Sequence, residues 1–261
     1  MQREPQSPRI ELDEHERIMR RISQLDVEYS SWESHLREIN DFLLPRSGRF
    51  FSSDVNRGGK KHNNIYDSTG SRAVRILGAG MMSGASSAAR PWFRMATSDP
   101  DLMKSEAVQQ WLFEVRRIML NVFHRSNTYR SLHRKYEECG TFGTACSILM
   151  DDYDNVIHDY GLTIGEYRLG TDYRGDVNTM ARRFQKTVGE VVKEFGYNNA
   201  STRVQDEYSR GNVDSSVDIA HLIQPREFFD KSKTDSANMP YQSVYIEEGE
   251  SLGKTLLQQR R

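Results

Sequence analysis

The 261 residues suffice for one large domain or two small ones, and with 36% hydrophobic and 28% charged residues they build only a modest core. That thin core leads us to expect apolar surface completed by another subunit. The net charge of −1 supplies no global argument for nucleic acid.

Residues 1–14 open the chain as a polar segment with Pro5 and Pro8, expected to be disordered. From residue 15 a stripe appears. Ile18, Ile22, Leu25, Tyr29, Trp32, Leu36, Ile39 and Leu43 are spaced alternately four and three apart, which predicts a helix ending at Pro45. One long helix, or two broken near Ser30 and Ser31, both fit.

Residues 46–66 form a basic loop with Gly48, Gly58, Gly59, Arg57, Lys60 and Lys61. From Leu43 to Arg94 the charge sums to +7 against −8 for the rest, a stretch suited to an anionic surface such as DNA. Arg57, Lys60, Lys61, Arg72 and Arg75 are its candidate DNA-facing residues.

Asp67 or Ser68 is expected to cap the next helix, stopped by Pro91. It contains ILGAGMMSG, Ile76–Gly84, close to the glycine fingerprint of dinucleotide sites. That fingerprint needs a strand before its first glycine, so that the turn aims backbone N–H groups at the pyrophosphate. Here the preceding residues are already helical by period, and no β-α-β unit surrounds them. No cofactor is therefore expected. Ala73, Ile76, Leu77, Gly80, Met81 and Gly84 fall on one face instead, and Gly80 and Gly84 are read as a close-packing or interface surface. Each helical glycine costs about 1 kcal/mol relative to alanine, which close packing can offset.

Pro91–Met95 reads as a strand or anchor segment, with Trp92 a packing candidate. A third helix, about Ser105 to His124, turns Val108, Trp111, Leu112, Val115, Ile118, Met119, Val122 and Phe123 to one face. Ser126 or Asn127 caps a fourth, with Tyr129, Leu132, Tyr136 and Cys139 inward and Gly140 and Gly143 at its end. The chain then changes character. Ala145–Met150 and Val156–Tyr160 read as a hairpin around Asp151–Asn155. Leu162–Leu169 and Val177–Gln185 bracket a further turn, Thr187 caps a helix over Val188–Phe195, and strands follow at Val217–Ile223 and Tyr241–Ile246. Helices first and strands second give an α+β fold, with a helical region over 15–144 and a mostly antiparallel β region over 145–250.

Chemistry is sparse. Asp151, Asp152 and Asp154 lack the twelve-position calcium pattern with its closing glutamate. His124 and His133 have no third ligand at metal spacing, so no metal is expected. No nucleophile elbow occurs, no catalytic residue can be named, and the reading is not an enzyme. Cys139 and Cys146 show neither metal nor disulfide spacing, consistent with a reducing intracellular compartment. No run of about 18 apolar residues exists to form a membrane-spanning helix.

Several ordered segments nevertheless resemble a known family, the head-to-tail connecting, or portal, proteins of short-tailed bacteriophages. They are SWESHLREINDFLLPRSGRF (31–50), YDSTGSRAVRILGAGMMSGASSAARPWFRM (66–95), VFHRSNTYRSLHRKYEECGTFGTACSILMDD (122–152), LTIGEYRLGTDYRGDVNTMARRF (162–184) and TVGEVVKEFG (187–196). The resemblance implies a structural virion protein with a portal wing-like fold, in a homo-oligomeric, usually dodecameric ring at one capsid vertex, through which DNA is packaged and ejected. The partners it implies are phage DNA, the terminase large subunit, scaffolding and capsid proteins, and tail or head-completion proteins, with no membrane. Localisation is the virion, and the host cytoplasm during assembly. Residues 251–261 read as an atypical tail, and the chain as truncated relative to the family. The alternative is a DNA-binding module on the basic segment 46–94.

Overall fold

The computed structural model describes residues 14–50, 65, 67–226, 229–235, 238–248 and 255–256. They fall into two compact units. The first draws on residues up to Ser34, on the stretch from Arg49 and on Gly165 onward; the second takes His35–Gly48 and the residues up to Ile164.

The first unit is built on a five-stranded sheet. Its strands are β3 (Tyr167–Thr171), β4 (Val177–Thr187), β5 (Ser216–Pro225), β6 (Tyr241–Glu247) and β7 (Thr255–Leu256), paired in chain order and antiparallel throughout. The helix α1 (Glu14–Leu43) begins in this unit. Its Ile18, Ile22 and Leu25 are buried against Ala181, Ala220, Leu222, Val244 and Ile246. The opposite sheet face carries α5 (Val188–Phe195) and α6 (Thr202–Ser209), where Val188, Val191, Phe195 and Val204 bury Val217, Ile219 and Tyr245. Because both faces are covered, β5 is buried without interruption over Ile219–Leu222, with His221 among the apolar residues.

Local chemistry starts and ends these elements. Thr187 Oγ1 accepts from Glu190 N at 3.3 Å while Glu190 Oε2 accepts from Thr187 N at 2.9 Å, a complete capping box. The buried Glu247 accepts from Ser201 N at 2.9 Å, fixing the start of α6. Asp26 on α1 takes Arg168 at 3.2 Å and also pairs with Arg183, which reaches Glu248 as well. Burial works against the charge on Arg183, but hydrogen bonds to Glu248 and Asp26 prevail and push its pKa up. Gly165 has φ +92, and a Cβ there would run into the Arg49 carbonyl, so no other residue fits that turn.

The second unit holds α2 (Thr69–Ala85), α3 (Glu106–Arg125), α4 (Thr128–Phe142) and the hairpin of β1 (Cys146–Asp152) and β2 (Val156–Leu162). α2 packs on α4, and the approach is set by two glycines. A Cβ on Gly78 would stand 2.7 Å from Glu137 Cγ, and one on Gly140 would strike Leu77 at 2.6 Å. α4 grips the hairpin through polar groups. Asn127 exchanges two hydrogen bonds with the Asp159 backbone, at 2.8 and 2.9 Å. Lys135 meets the buried Asp159 carboxylate at 2.6 Å and Ser147 Oγ at 3.1 Å.

Of the two arrangements open for the first stripe, α1 takes the single long helix: Ser30 and Ser31 donate their hydroxyls to Val27 O and Glu28 O inside it. Other expectations need correction. α2 ends at Ala85, well before Pro91, and residues 91–97 form no strand. Gly140 lies inside α4, Gly143 closes it in the left-handed conformation, and Cys139 faces solvent. Of the residues expected inward on α4, Tyr129, Leu132 and Tyr136 are half-buried and Cys139 is exposed, while the fully buried positions are the polar Thr128, Ser131 and Glu138.

Candidate interaction surfaces

Among the described residues no three His, Cys, Asp or Glu side chains converge to hold a metal ion. What the second unit offers is surface. Its buried apolar side chains are Val74, Leu112, Leu162 and Ile164, while Phe42, Ile76, Trp111, Phe113, Ile118 and Leu149 are each more than half exposed. Large apolar side chains left exposed in this way are candidates for contact with a partner.

The small-residue face of α2 is exposed too. Gly80 and Gly84 have nothing within 4 Å of where a Cβ would be. Among the described residues they pack on no neighbour, and a close approach is made by Gly78 instead. Ala73, Ile76, Leu77, Gly80 and Gly84 are exposed, although Leu77 also reaches Gly140 on α4, and Val74 and Gly78 are the buried pair of α2.

Arg72 and Arg75 are also exposed on α2. Arg57, Lys60 and Lys61 lie outside the described residues. Trp92 is an anchor: its ring meets Phe93 edge-on at 4.9 Å and stacks near Phe123 at 6.2 Å, and its Nε1 donates to Tyr129 Oη at 3.3 Å.

That anchor lays residues 88–95 antiparallel along α3 and opens two shallow cavities. One, of about 220 Å³, is lined by Arg90, Pro91, Arg117, Asn121 and His124 among others. The second, of about 180 Å³, is lined by Arg94, Met95, Met103, Leu112, Phe113 and Arg116. Each pairs one arginine of the extended segment with one of α3. Glu114 holds Arg117 through Nε at 2.9 Å and Nη2 at 2.7 Å, and the Arg116 guanidinium lies 5.1 Å above the Phe113 ring. Sequence reasoning missed this groove. Nothing local in the sequence brings Arg116 and Arg117 to Arg90 and Arg94, more than twenty positions earlier.

At the far end of the hairpin lies a surface of opposite sign. Asp151, Asp152 and Asp154 surround Tyr153, whose side chain is completely exposed. Asp152 shapes the turn, accepting from Asp154 N at 3.0 Å and Asn155 Nδ2 at 3.3 Å. The Asp154 backbone bond holds the Asp152 carboxyl below its ordinary range.

Residues 15–261 match the family described as bacteriophage head to tail connecting protein. The chain belongs to that family. The match includes residues 251–261, which sequence reading had set apart as atypical. A probable portal protein of Bordetella phage BPP-1 is 51% identical over 246 residues, covering 94% of this chain and 44% of that relative. A portal protein of Salmonella phage epsilon15 is 45% identical over 243 residues, covering 93% of this chain and 44% of the relative. The chain thus spans less than half the length of these curated relatives. The fold of the chain is α+β, with an antiparallel sheet.

Proposed function

We propose that the chain is a subunit of a phage portal, a homo-oligomeric ring at one capsid vertex through which DNA is packaged and later ejected. The observation that carries this reading is family membership over residues 15–261, joined to relatives that bear the portal name over nearly the whole chain. The exposed apolar surface of the second unit supports it, since a subunit completed by identical neighbours leaves such surface open when alone.

In this role the chain works by shape and assembly, and we assign it no catalytic residue. Its partners would be its own copies, phage DNA, the terminase large subunit, scaffolding and capsid proteins, and tail or head-completion proteins. Its place would be the virion, reached from the host cytoplasm. No helix among the described residues is long and apolar enough to cross a membrane.

Sedimentation velocity over a range of concentrations tests the proposal. A discrete species of many subunits is expected, and a monomer at every concentration would overturn it. A second reading, a DNA-binding module on segment 46–94, draws on the exposure of Arg72 and Arg75. It predicts duplex affinity that falls steeply with salt and weakens when Lys60 and Lys61 are neutralised.

A further inference from the structure

We propose that the arginine groove between residues 88–95 and α3 receives the acidic hairpin tip of a second copy, with Tyr153 seated among Arg90, Arg94, Arg116 and Arg117. This assignment rests on the portal-ring reading and names the residues of one subunit contact within it.

The two surfaces complement one another in charge, chemistry and size. The tip carries three carboxylates within four residues, and its hydrogen bonds stay inside the turn. The groove offers four arginines and His124, with Glu114 the carboxylate bonded to Arg117. The two cavities, about 220 and 180 Å³, fall below the roughly 300 Å³ of a small-molecule site, so they accommodate side chains. An arginine pair around a tyrosine ring combines cation–π attraction with the residue types that dominate interface energetics.

The occupant is a peptide rather than a nucleic acid backbone. Met95, Met103, Leu112 and Phe113 line half of the groove, and a phosphodiester chain would leave that apolar wall uncovered. A tyrosine flanked by aspartates uses both the wall and the arginines. Tip and groove are different patches of the same chain, so the contact can run head to tail, and a head-to-tail contact whose rotation closes generates a ring.

The test reverses charge on each side at exposed residues, of which Arg90 makes one long hydrogen bond, 3.5 Å to Ser83 O. Arg90→Glu with Arg94→Glu reverses the groove. Asp151→Lys with Asp154→Lys reverses the tip and keeps Asp152. Circular dichroism checks folding, and sedimentation velocity of the full chain reads assembly. Each variant alone is expected to self-associate at least about tenfold more weakly than wild type. An equal mixture of the two is expected to restore assembly, since every reversed tip then meets a reversed groove and every native tip a native one. Assembly of the single variants at wild-type strength would overturn the docking assignment and leave the ring standing. Failure of the mixture to recover would also overturn it. Variants that assemble normally but lose affinity for a short DNA duplex would make the groove a phosphate site and refute the proposal. A wild type that stays monomeric would remove both the ring and the contact.

Discussion

Gly78 on α2 and Glu137 on α4 lie so close that a single methyl group could not enter between them: its carbon would stand 2.7 Å from Glu137 Cγ and 3.3 Å from Glu137 N. Two residues further along α2, Gly80 faces open space. The two glycines therefore answer substitution with opposite signs. Gly78→Ala is expected to destabilise the second unit by about 1–2 kcal/mol, because overpacking outweighs the helix propensity gained. Gly80→Ala is expected to stabilise it by about 0.5–1 kcal/mol, from propensity alone. Urea unfolding of the two variants beside wild type decides both. A matching sign would show that α2 and α4 do not meet at Gly78.

Lys135 and Asp159 tie α4 to the hairpin across a 2.6 Å contact, with the carboxylate side chain 5% exposed and the lysine 25%. Lys135→Met should cost about 2–3 kcal/mol, less than for a fully buried pair because the ammonium keeps some water. The double variant with Asp159→Asn should recover part of that loss. Additive losses in the cycle would mean that the two charges are not coupled.

The capping box of α5 provides a pH test. The Glu190 carboxyl is held below its ordinary 4.5, chiefly by the Thr187 backbone N–H. A depressed folded value means that this contribution is present above the unfolded pKa and is lost as pH falls through the folded one. Glu190→Gln should therefore be less stable than wild type at neutral pH, with the gap closing below pH 4.5. Thr187→Ala should cost about 1 kcal/mol, the usual loss for an N-cap. Thermal melts from neutral to acidic pH read both.

Val156 adopts φ 73 at the end of the hairpin turn, a conformation that β-branched residues strongly avoid, and its side chain is 61% exposed. Val156→Asn should relieve strain and raise stability by about 0.5–1 kcal/mol, since asparagine tolerates the left-handed region and little packing is lost. A loss of stability would mean that the Val156 side chain is needed elsewhere.

What could be read from the sequence divides by range. The Thr187 cap, the helix ending at Phe195 and the strand around Val217–Ile223 were legible because neighbours a few positions apart decide them. α6 escaped notice because an eight-residue helix with Val204 its buried residue has almost no period to detect. The polar buried positions of α4 are not legible for a different reason. Hydrophobic period assumes an apolar interior, whereas α4 buries Thr128, Ser131 and Glu138 and grips the hairpin through Asn127 and Lys135. The glycines of α2 advertised close packing, but period could not tell that Gly78 carries it rather than Gly80 or Gly84. The arginine groove was invisible because the Trp92–Phe123 contact that assembles it joins residues thirty-one apart.

The central claim, that this chain is a ring-forming subunit, is tested most directly by native mass spectrometry of the purified protein with negative-stain imaging of the same sample. The account predicts one closed species of many identical copies with a central opening. A protein that remains monomeric at every concentration, or that forms open chains of indefinite length, would contradict it.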